Sequence, residues 1–220
     1  MDLSRPKPDL IIFDCDGVLV DSELLSCRCL SEVLTEFGIS LSLEQALQLF
    51  LGRSTKAIEQ HYRDLGQIVP DGFLPRLKAR VQTTFASSLR PIPDVAAVVS
   101  ELTMPFCVAS SSDLDRVLLS LDVTGLASHF GDRLYTAQMV QHGKPAPDLF
   151  LYAAEKMDVQ PSRTLVIEDS ASGVQAAKAA GMMVWGFVGG GHYLSRDGRA
   201  ILSAAGADRV FARMSDFWEA

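Results

Sequence analysis

The sequence has no run of eighteen apolar residues, few cysteines and fewer basic than acidic side chains. Without such a run no membrane-spanning helix is expected. The first residues contain no apolar segment typical of a secretory signal peptide, so we expect a cytoplasmic protein. The 220 residues carry 27 Asp and Glu against 20 Lys and Arg, a formal net charge of -7. This balance argues against a nucleic-acid-binding surface.

The four cysteines and four histidines do not have the spacing of a metal site. We therefore predict buried, reduced thiols. The three glycines in Gly189-Gly-Gly191 lack the spacing of a dinucleotide fingerprint and predict a flexible turn. His192 follows them, and we expect it to be a loop histidine without a catalytic role.

One local feature is distinctive: Asp14 and Asp16 lie two residues apart, where the apolar run from Leu10 to Phe13 gives way to Gly17. Residues two apart on a strand face the same way. The uninterrupted apolar run predicts a strand buried on both faces of a parallel sheet. Two carboxylates there repel each other unless a proton or a cation intervenes. Asp and Gly also form ordinary turns and helix caps, so the pair alone does not define a site.

Three later stretches also bring polar side chains to the ends of apolar runs or into a short loop. They are Phe106-Cys-Val-Ala-Ser110, Gly143-Lys-Pro-Ala-Pro-Asp148 and Leu165-Val-Ile-Glu-Asp-Ser170. Taken in order with Asp14-Cys-Asp-Gly17, they resemble the four motifs of the haloacid dehalogenase superfamily. These motifs are an Asp-x-Asp-Gly run, a strand-terminal Ser or Thr, a Lys, and an acidic pair. The resemblance is strongest to the subgroup of β-phosphoglucomutase and small sugar-phosphate phosphatases.

Short apolar strands alternate with helical stretches along the chain, which predicts an α/β fold with a doubly wound parallel sheet. Strands are expected at residues 9–14, 105–110, 133–136, 164–168 and 183–188. Helices are expected at residues 94–102, 114–122, 148–157 and 172–180. The polar residues of these motifs, other than Lys144, fall where strands end. This is the edge at which such sheets bind ligands.

Residues 15–104 separate the first two predicted strands, which is too long for one crossover helix. Their patterning predicts helices at residues 22–37, 43–51, 55–65 and 73–87. The resemblance implies that this interval is a four-helix cap that closes over the site. We therefore predict a core domain of residues 1–19 and 91–220 and an inserted cap domain of residues 20–90.

The residue types themselves point to phosphoryl transfer. A carboxylate nucleophile can form an aspartyl-phosphate and split a slow hydrolysis into two easier displacements. Asp14, last on its strand, is the candidate nucleophile. Asp16 is then free to protonate the leaving oxygen and later to deprotonate the attacking water. A dianionic phosphate approaches a carboxylate only if charge is neutralised, and Mg²⁺ suits that role.

The resemblance implies the remaining roles. The metal ligands are the side chains of Asp14 and Asp169 and the main-chain carbonyl of Asp16, with Glu168 a ligand through water or an outer anchor. Lys144 pairs with the phosphate and the carboxylates, and Ser110 holds phosphoryl oxygens. The predicted substrate-binding residues are Gly52, Arg53, Ser111 and Glu23.

The predicted activity is Mg²⁺-dependent hydrolysis of a small phosphorylated metabolite, either a sugar phosphate or a phosphosugar acid, by a monomer or weak homodimer. A phosphomutase of the β-phosphoglucomutase type stays open. Leu51 stands where that enzyme has a Lys, although Arg53 and Lys56 are nearby. A phospho-acceptor or binding module is the non-enzyme alternative. Response-regulator receivers carry the acidic pair first, which is opposite to the order here.

Overall fold

The computed structural model describes residues 7–51, 55–194 and 196–218, with residues 55–57 described by their backbone alone. Within these residues the strands are β1 (Leu10–Phe13), β2 (Phe106–Ser110), β3 (Leu134–Thr136), β4 (Thr164–Glu168), β5 (Met183–Phe187) and β6 (Arg209–Phe211). They form one sheet in the order β3-β2-β1-β4-β5-β6. Every neighbouring pair is parallel. The predicted α/β fold with a doubly wound parallel sheet is confirmed.

Helices connect the strands and cover both faces of the sheet. They are α1 (Glu23–Glu36), α2 (Leu43–Phe50), α3 (Thr55–Asp64), α4 (Phe73–Ser88), α5 (Val95–Glu101), α6 (Leu114–Val123), α7 (Ala127–Phe130), α8 (Asp148–Lys156), α9 (Ala171–Ala179) and α10 (Gly198–Ala204).

Strand β1 is central and shows why its sequence is apolar throughout. Ile11 and Phe13 pack into one apolar cluster, which extends into α1 and α4. Leu10 and Ile12 pack into a second cluster, with side chains of α8 and α9. Since side chains alternate along a strand and both faces are covered by helices, no position in β1 is left for a polar residue.

Helices α1 to α4 lie between β1 and β2, and residues 23–88 are called the helical insert below. Helix α1 packs against α2 and α4, and α4 packs against α6 of the sheet domain. The buried face of α4 repeats every four residues, with Phe73, Leu77, Val81 and Phe85. This spacing places their side chains on one side of the helix. The apolar interior of the insert is thus continuous with the cluster on one face of the sheet, and one edge of the insert packs on α6.

The two chain segments that join the helical insert to the sheet domain pair with each other. Asp21 N donates to Arg90 O at 3.0 Å, and Ile92 N donates to Leu19 O at 2.9 Å. Val20 and Pro91 form an antiparallel bridge between these bonds. The chain therefore enters and leaves the insert through two segments that pair side by side.

The sequence did not predict strand β6 or helices α7 and α10. Each is short, from three to seven residues, so none is long enough to display a clear period. The four cysteines are free and buried, as predicted. None of the helices in residues 7–51, 55–194 and 196–218 has the length and apolar character that crossing a bilayer requires.

Candidate active site

Three strand ends meet at the centre of the sheet. Because β1 pairs with both β2 and β4, the residues that follow or end these strands come together at one edge. Asp14 follows β1, Ser110 ends β2, and Glu168 ends β4, with Asp169 next in the chain. Asp14 N donates to Ile167 O at 2.9 Å, which continues the ladder between β1 and β4.

Lys144 enters this cluster from the loop before α8. Its Nζ donates to Asp14 Oδ1 at 2.6 Å, to Glu168 Oε1 at 2.8 Å and to Ala109 O at 3.1 Å. The side chain is 2% exposed, and its ammonium lies 4.8 Å from the centre of the Phe150 ring. A buried ammonium needs partners for its three protons, and here each has one. Lys144 therefore links the candidate nucleophile to the acidic pair.

Glu168 uses both carboxylate oxygens within the protein. Oε1 accepts from Lys144, and Oε2 accepts from Ser170 N at 2.7 Å and Ser170 Oγ at 2.9 Å. A Cβ atom at position 173 would lie 1.7 Å from Glu168 Oε1, so only glycine fits there. Both oxygens of Glu168 are therefore bonded to groups of the protein itself.

The Asp16 carboxylate accepts three side-chain hydrogen bonds. Oδ1 accepts from Ser22 Oγ at 2.6 Å and from Arg116 Nη2 at 2.7 Å, and Oδ2 accepts from Ser112 Oγ at 2.6 Å. Burial alone raises the pKa of this carboxyl group. The Arg116 charge and the three hydrogen bonds outweigh burial and hold the pKa below its usual value.

Asp169 is packed against the turn after β1. A Cβ atom on Gly17, where φ is +78°, would lie 1.8 Å from Asp169 Oδ2, so this close approach requires glycine. Among the described residues, no group hydrogen-bonds to Asp169 Oδ2. His192 Nε2 lies 3.2 Å from that oxygen. The Tyr193 hydroxyl donates to the Asp169 main-chain carbonyl.

The predictions for His192 and its glycines need correction. His192 lies in a short 3-10 turn, Gly191–Tyr193, and is 1% exposed, where a loop position was expected. Burial lowers the pKa of His192 to about 4, so the ring is neutral near pH 7. Gly190 and Gly191 pack closely against His192 and Asp21, which argues against a flexible turn. His192 is buried by residues that are distant in the sequence, such as Asp169 and Gly17. No local sequence pattern could therefore have predicted this burial.

The cluster carries more negative than positive charge. Burial, assisted by the neighbouring carboxylates, raises the pKa of Asp14 and of Asp169. Burial alone lowers the pKa of Lys144, but Asp14 and Glu168 reverse this and raise it above its usual value. One ammonium thus faces three buried carboxylates. A bound cation would offset this excess of negative charge.

The donor set suits a hard divalent cation. Asp14 and Asp169 offer carboxylate oxygens, and the Asp169 oxygen without a hydrogen-bond partner lies against the Asp16-Gly17 turn. Within the described part of the chain, no three His, Cys, Asp or Glu side chains converge as metal ligands. Two carboxylates and a main-chain carbonyl, with water and substrate, are the few oxygens that Mg²⁺ takes from a protein.

A cavity of about 450 Å³ opens above the cluster, between the sheet edge and the helical insert. Its floor includes Asp14, Asp16, Ser110 and Lys144, and much of its roof is apolar, with Leu30 and Phe50 among the residues of the insert. This volume is within the range of small-molecule sites.

The substrate-binding predictions are brought together only in part. Ser111 and Glu23 line the cavity, and Glu23 is 5% exposed. Gly52 and Arg53 lie outside the described residues. Sequence reasoning missed Ser112 and Arg116, although a run of three serines ending at Ser112 was visible. Arg116 carries no local signal, because only its contacts distinguish it from a surface arginine.

Comparison with known proteins identifies the family of this chain. The family model for haloacid dehalogenase-like hydrolases matches residues 11–187. The chain is 31% identical over 189 residues to 6-phosphogluconate phosphatase of Escherichia coli (strain K12), covering 84% of each chain. It is 35% identical over 175 residues to the fructose-1-phosphate phosphatase of the same strain, covering 78% of this chain and 92% of the relative. A haloacid dehalogenase-like protein from Agrobacterium tumefaciens str. C58 superposes with a TM-score of 0.81 at 36% identity, covering 96% of each chain.

Proposed function

The chain belongs to the haloacid dehalogenase-like hydrolase family, and we propose that it hydrolyses a small phosphorylated metabolite through an aspartyl-phosphate on Asp14, with Mg²⁺. The observation that carries the proposal is the position of Asp14. It lies at the floor of the cavity and is bonded through Lys144 to the acidic pair at the end of β4. The phosphatase relatives support hydrolysis as the reaction class.

We assign the Mg²⁺ ligands as Asp14, Asp169 and the main-chain carbonyl of Asp16. When bound, the ion neutralises phosphate charge and so lets the anionic nucleophile approach. Glu168 is assigned to the outer anchor that holds Lys144, since its own oxygens are already bonded to Lys144 and Ser170.

In the first step, Asp14 attacks phosphorus, and the bond from phosphorus to the leaving oxygen breaks. The negative charge of the bound phosphate raises the pKa of Asp16, so that Asp16 carries the proton that it gives to that oxygen. In the second step, Asp16 accepts a proton from the water that attacks the aspartyl-phosphate, and phosphate leaves. Lys144 and Ser110 stabilise the charge on the transferring phosphoryl oxygens in both steps.

The test begins with a screen of phosphorylated metabolites, including fructose 1-phosphate and 6-phosphogluconate, in Mg²⁺ and in excess chelator. We expect phosphate release that requires Mg²⁺. Asp14→Asn and Asp169→Asn should fold and lose activity, because each keeps shape while removing a ligand charge. Mass spectrometry after reaction with an activated donor should find the phosphoryl group on Asp14. Labelling elsewhere, or full activity in chelator, would contradict the mechanism.

A second arm separates hydrolysis from phosphoryl migration within the sugar. Leu51 provides no charge for the second phosphate that a mutase must hold. With β-glucose 1-phosphate and a trace of glucose 1,6-bisphosphate, we expect no glucose 6-phosphate. Its formation at a rate typical of enzymes, roughly 1–10³ s⁻¹, without free phosphate would reverse this conclusion.

A further inference from the structure

Arg116 contacts both the proposed acid and the helical insert. It lies on α6, and its Nη2 donates to Asp16 Oδ1 at 2.7 Å and to Ser26 Oγ of α1 at 2.8 Å. Its guanidinium carbon lies 4.9 Å from the centre of the Phe85 ring of α4. One side chain therefore joins Asp16 to two helices of the insert.

The hydrogen bonds to Asp16 come from three separate parts of the chain. Ser22 precedes α1, Ser112 lies in the loop after β2, and Arg116 lies on α6. Together they occupy both carboxylate oxygens and so restrict the rotation of the side chain. Arg116 brings the only full positive charge among these three, and charge-assisted hydrogen bonds are the stronger kind.

The environment of Arg116 differs from that of a solvated surface arginine. Its side chain is 26% exposed, and its Nε is buried without a hydrogen-bond partner among the described residues. An unpaired buried N–H is costly, so the contacts of the remaining guanidinium atoms must compensate. A planar guanidinium can bond a carboxylate and a hydroxyl while its flat face stacks on an aromatic ring, and the compact ammonium of a lysine lacks this planar fork.

We propose that Arg116 is a positioning residue that orients the Asp16 carboxyl group toward the leaving oxygen. Because Arg116 also contacts α1 and α4, this orientation depends on the position of those two helices. This inference rests on the acid role of Asp16 in the proposed function. Arg116 itself transfers no proton. The proton passes from Asp16 to the leaving oxygen as the bond to phosphorus breaks, and returns to Asp16 from the attacking water.

The leaving group distinguishes positioning of an acid from general support of the fold. An alkoxide needs a proton as it departs, whereas p-nitrophenolate leaves without one. Arg116→Met keeps the aliphatic stem and removes the donors. We expect its kcat/KM to fall about 10²-fold for the best alkyl phosphate of the screen, the lower end of general acid catalysis. The loss for p-nitrophenyl phosphate should stay below about threefold, because that substrate does not use the acid.

Asp115→Asn is the matched control. Asp115 is the neighbour of Arg116 on α6 and bonds Lys78 of α4 at 2.8 Å. Its replacement therefore loosens the contact between α6 and α4 without removing a contact of Asp16. We expect this control to react like the wild type with both substrates. Equal losses in Asp115→Asn and Arg116→Met would show that only helix contact matters, and would overturn the proposal.

Ser26→Ala tests the dependence on the insert, since it removes the α1 hydroxyl that Arg116 contacts. We expect the same selective loss on the alkyl phosphate, smaller than in Arg116→Met. An unchanged ratio of the two substrates in Ser26→Ala would overturn the coupling to the insert.

A double-mutant cycle with Asp16→Asn completes the test. If Arg116 acts through Asp16, then Arg116→Met should cause no further loss in the Asp16→Asn background. Additive losses would overturn the proposal. Arg116→Lys serves as the variant if the Met variant unfolds, and it should lose the same selectivity because an ammonium lacks the planar fork that holds Asp16 and Ser26 together. Failure of the proposed function itself would look different, since the wild type would then release no phosphate or would not be labelled on Asp14.

Discussion

Replacing Lys144 with methionine should destabilise the protein because two buried carboxylates would lose their shared cation. Lys144 Nζ lies 2.6 Å from Asp14 Oδ1 and 2.8 Å from Glu168 Oε1, and the three side chains are 2%, 9% and 1% exposed, respectively. At an effective dielectric constant of about 20, unit charges about 4 Å apart attract by about 4 kcal/mol. Two such attractions give about 8 kcal/mol, against a desolvation penalty of several kcal/mol for the buried ammonium.

The expected fall in the free energy of unfolding is therefore about 3–5 kcal/mol, the range for breaking a buried ion pair. It is measured by urea unfolding in excess chelator at pH 7.5, so that no metal compensates for the missing charge. Lys156→Met is the control, because Lys156 lies exposed on α8 and makes the same change at the surface. It should stay within about 0.5 kcal/mol of the wild type.

A second substitution tests the electrostatic explanation. Adding Glu168→Gln to Lys144→Met removes one of the stranded charges, so the double variant should be more stable than the sum of the single effects predicts. The expected coupling is about 1–3 kcal/mol. Strict additivity, or a Lys144→Met protein as stable as the wild type, would refute the reasoning.

Two further predictions concern packing and burial. Gly173→Ala should reduce activity at least about tenfold, because the new Cβ would lie 1.7 Å from Glu168 Oε1 and displace the Glu168 side chain. Gly143→Ala is the control, since its Cβ would have its nearest neighbour 3.7 Å away. Equal activities of the two variants would contradict the role assigned to Glu168. The native thiols should react slowly with a disulfide reagent at pH 8, since burial raises the pKa of Cys27 to about 12 and the other three thiols are also buried. All four should react rapidly in urea, and any fast thiol in the native protein would be inconsistent with this burial.

The sequence alone determined strands β1 to β5 and the polar residues at their ends. Apolar runs such as Leu10 to Phe13 are long enough to predict buried strands, and the polar residues that interrupt them mark the strand ends. Because parallel strands in such a sheet have their carboxyl ends at one edge, the sequence predicts that Asp14, Ser110 and Asp169 lie together. Helical periodicity likewise predicted the insert, since α1 and α4 each span several turns.

Only the tertiary structure decided which side chains pair. Lys144 and Asp14 are 130 positions apart, and Arg116 and Asp16 are 100 apart, so no local pattern records either contact. The same holds for the burial of His192 against Asp169. Periodicity reports which face of an element is buried, whereas ion pairing depends on the distance and exposure that packing of remote elements creates. That is why the sequence could predict the cluster at the sheet edge, but not that Arg116 would bond Asp16.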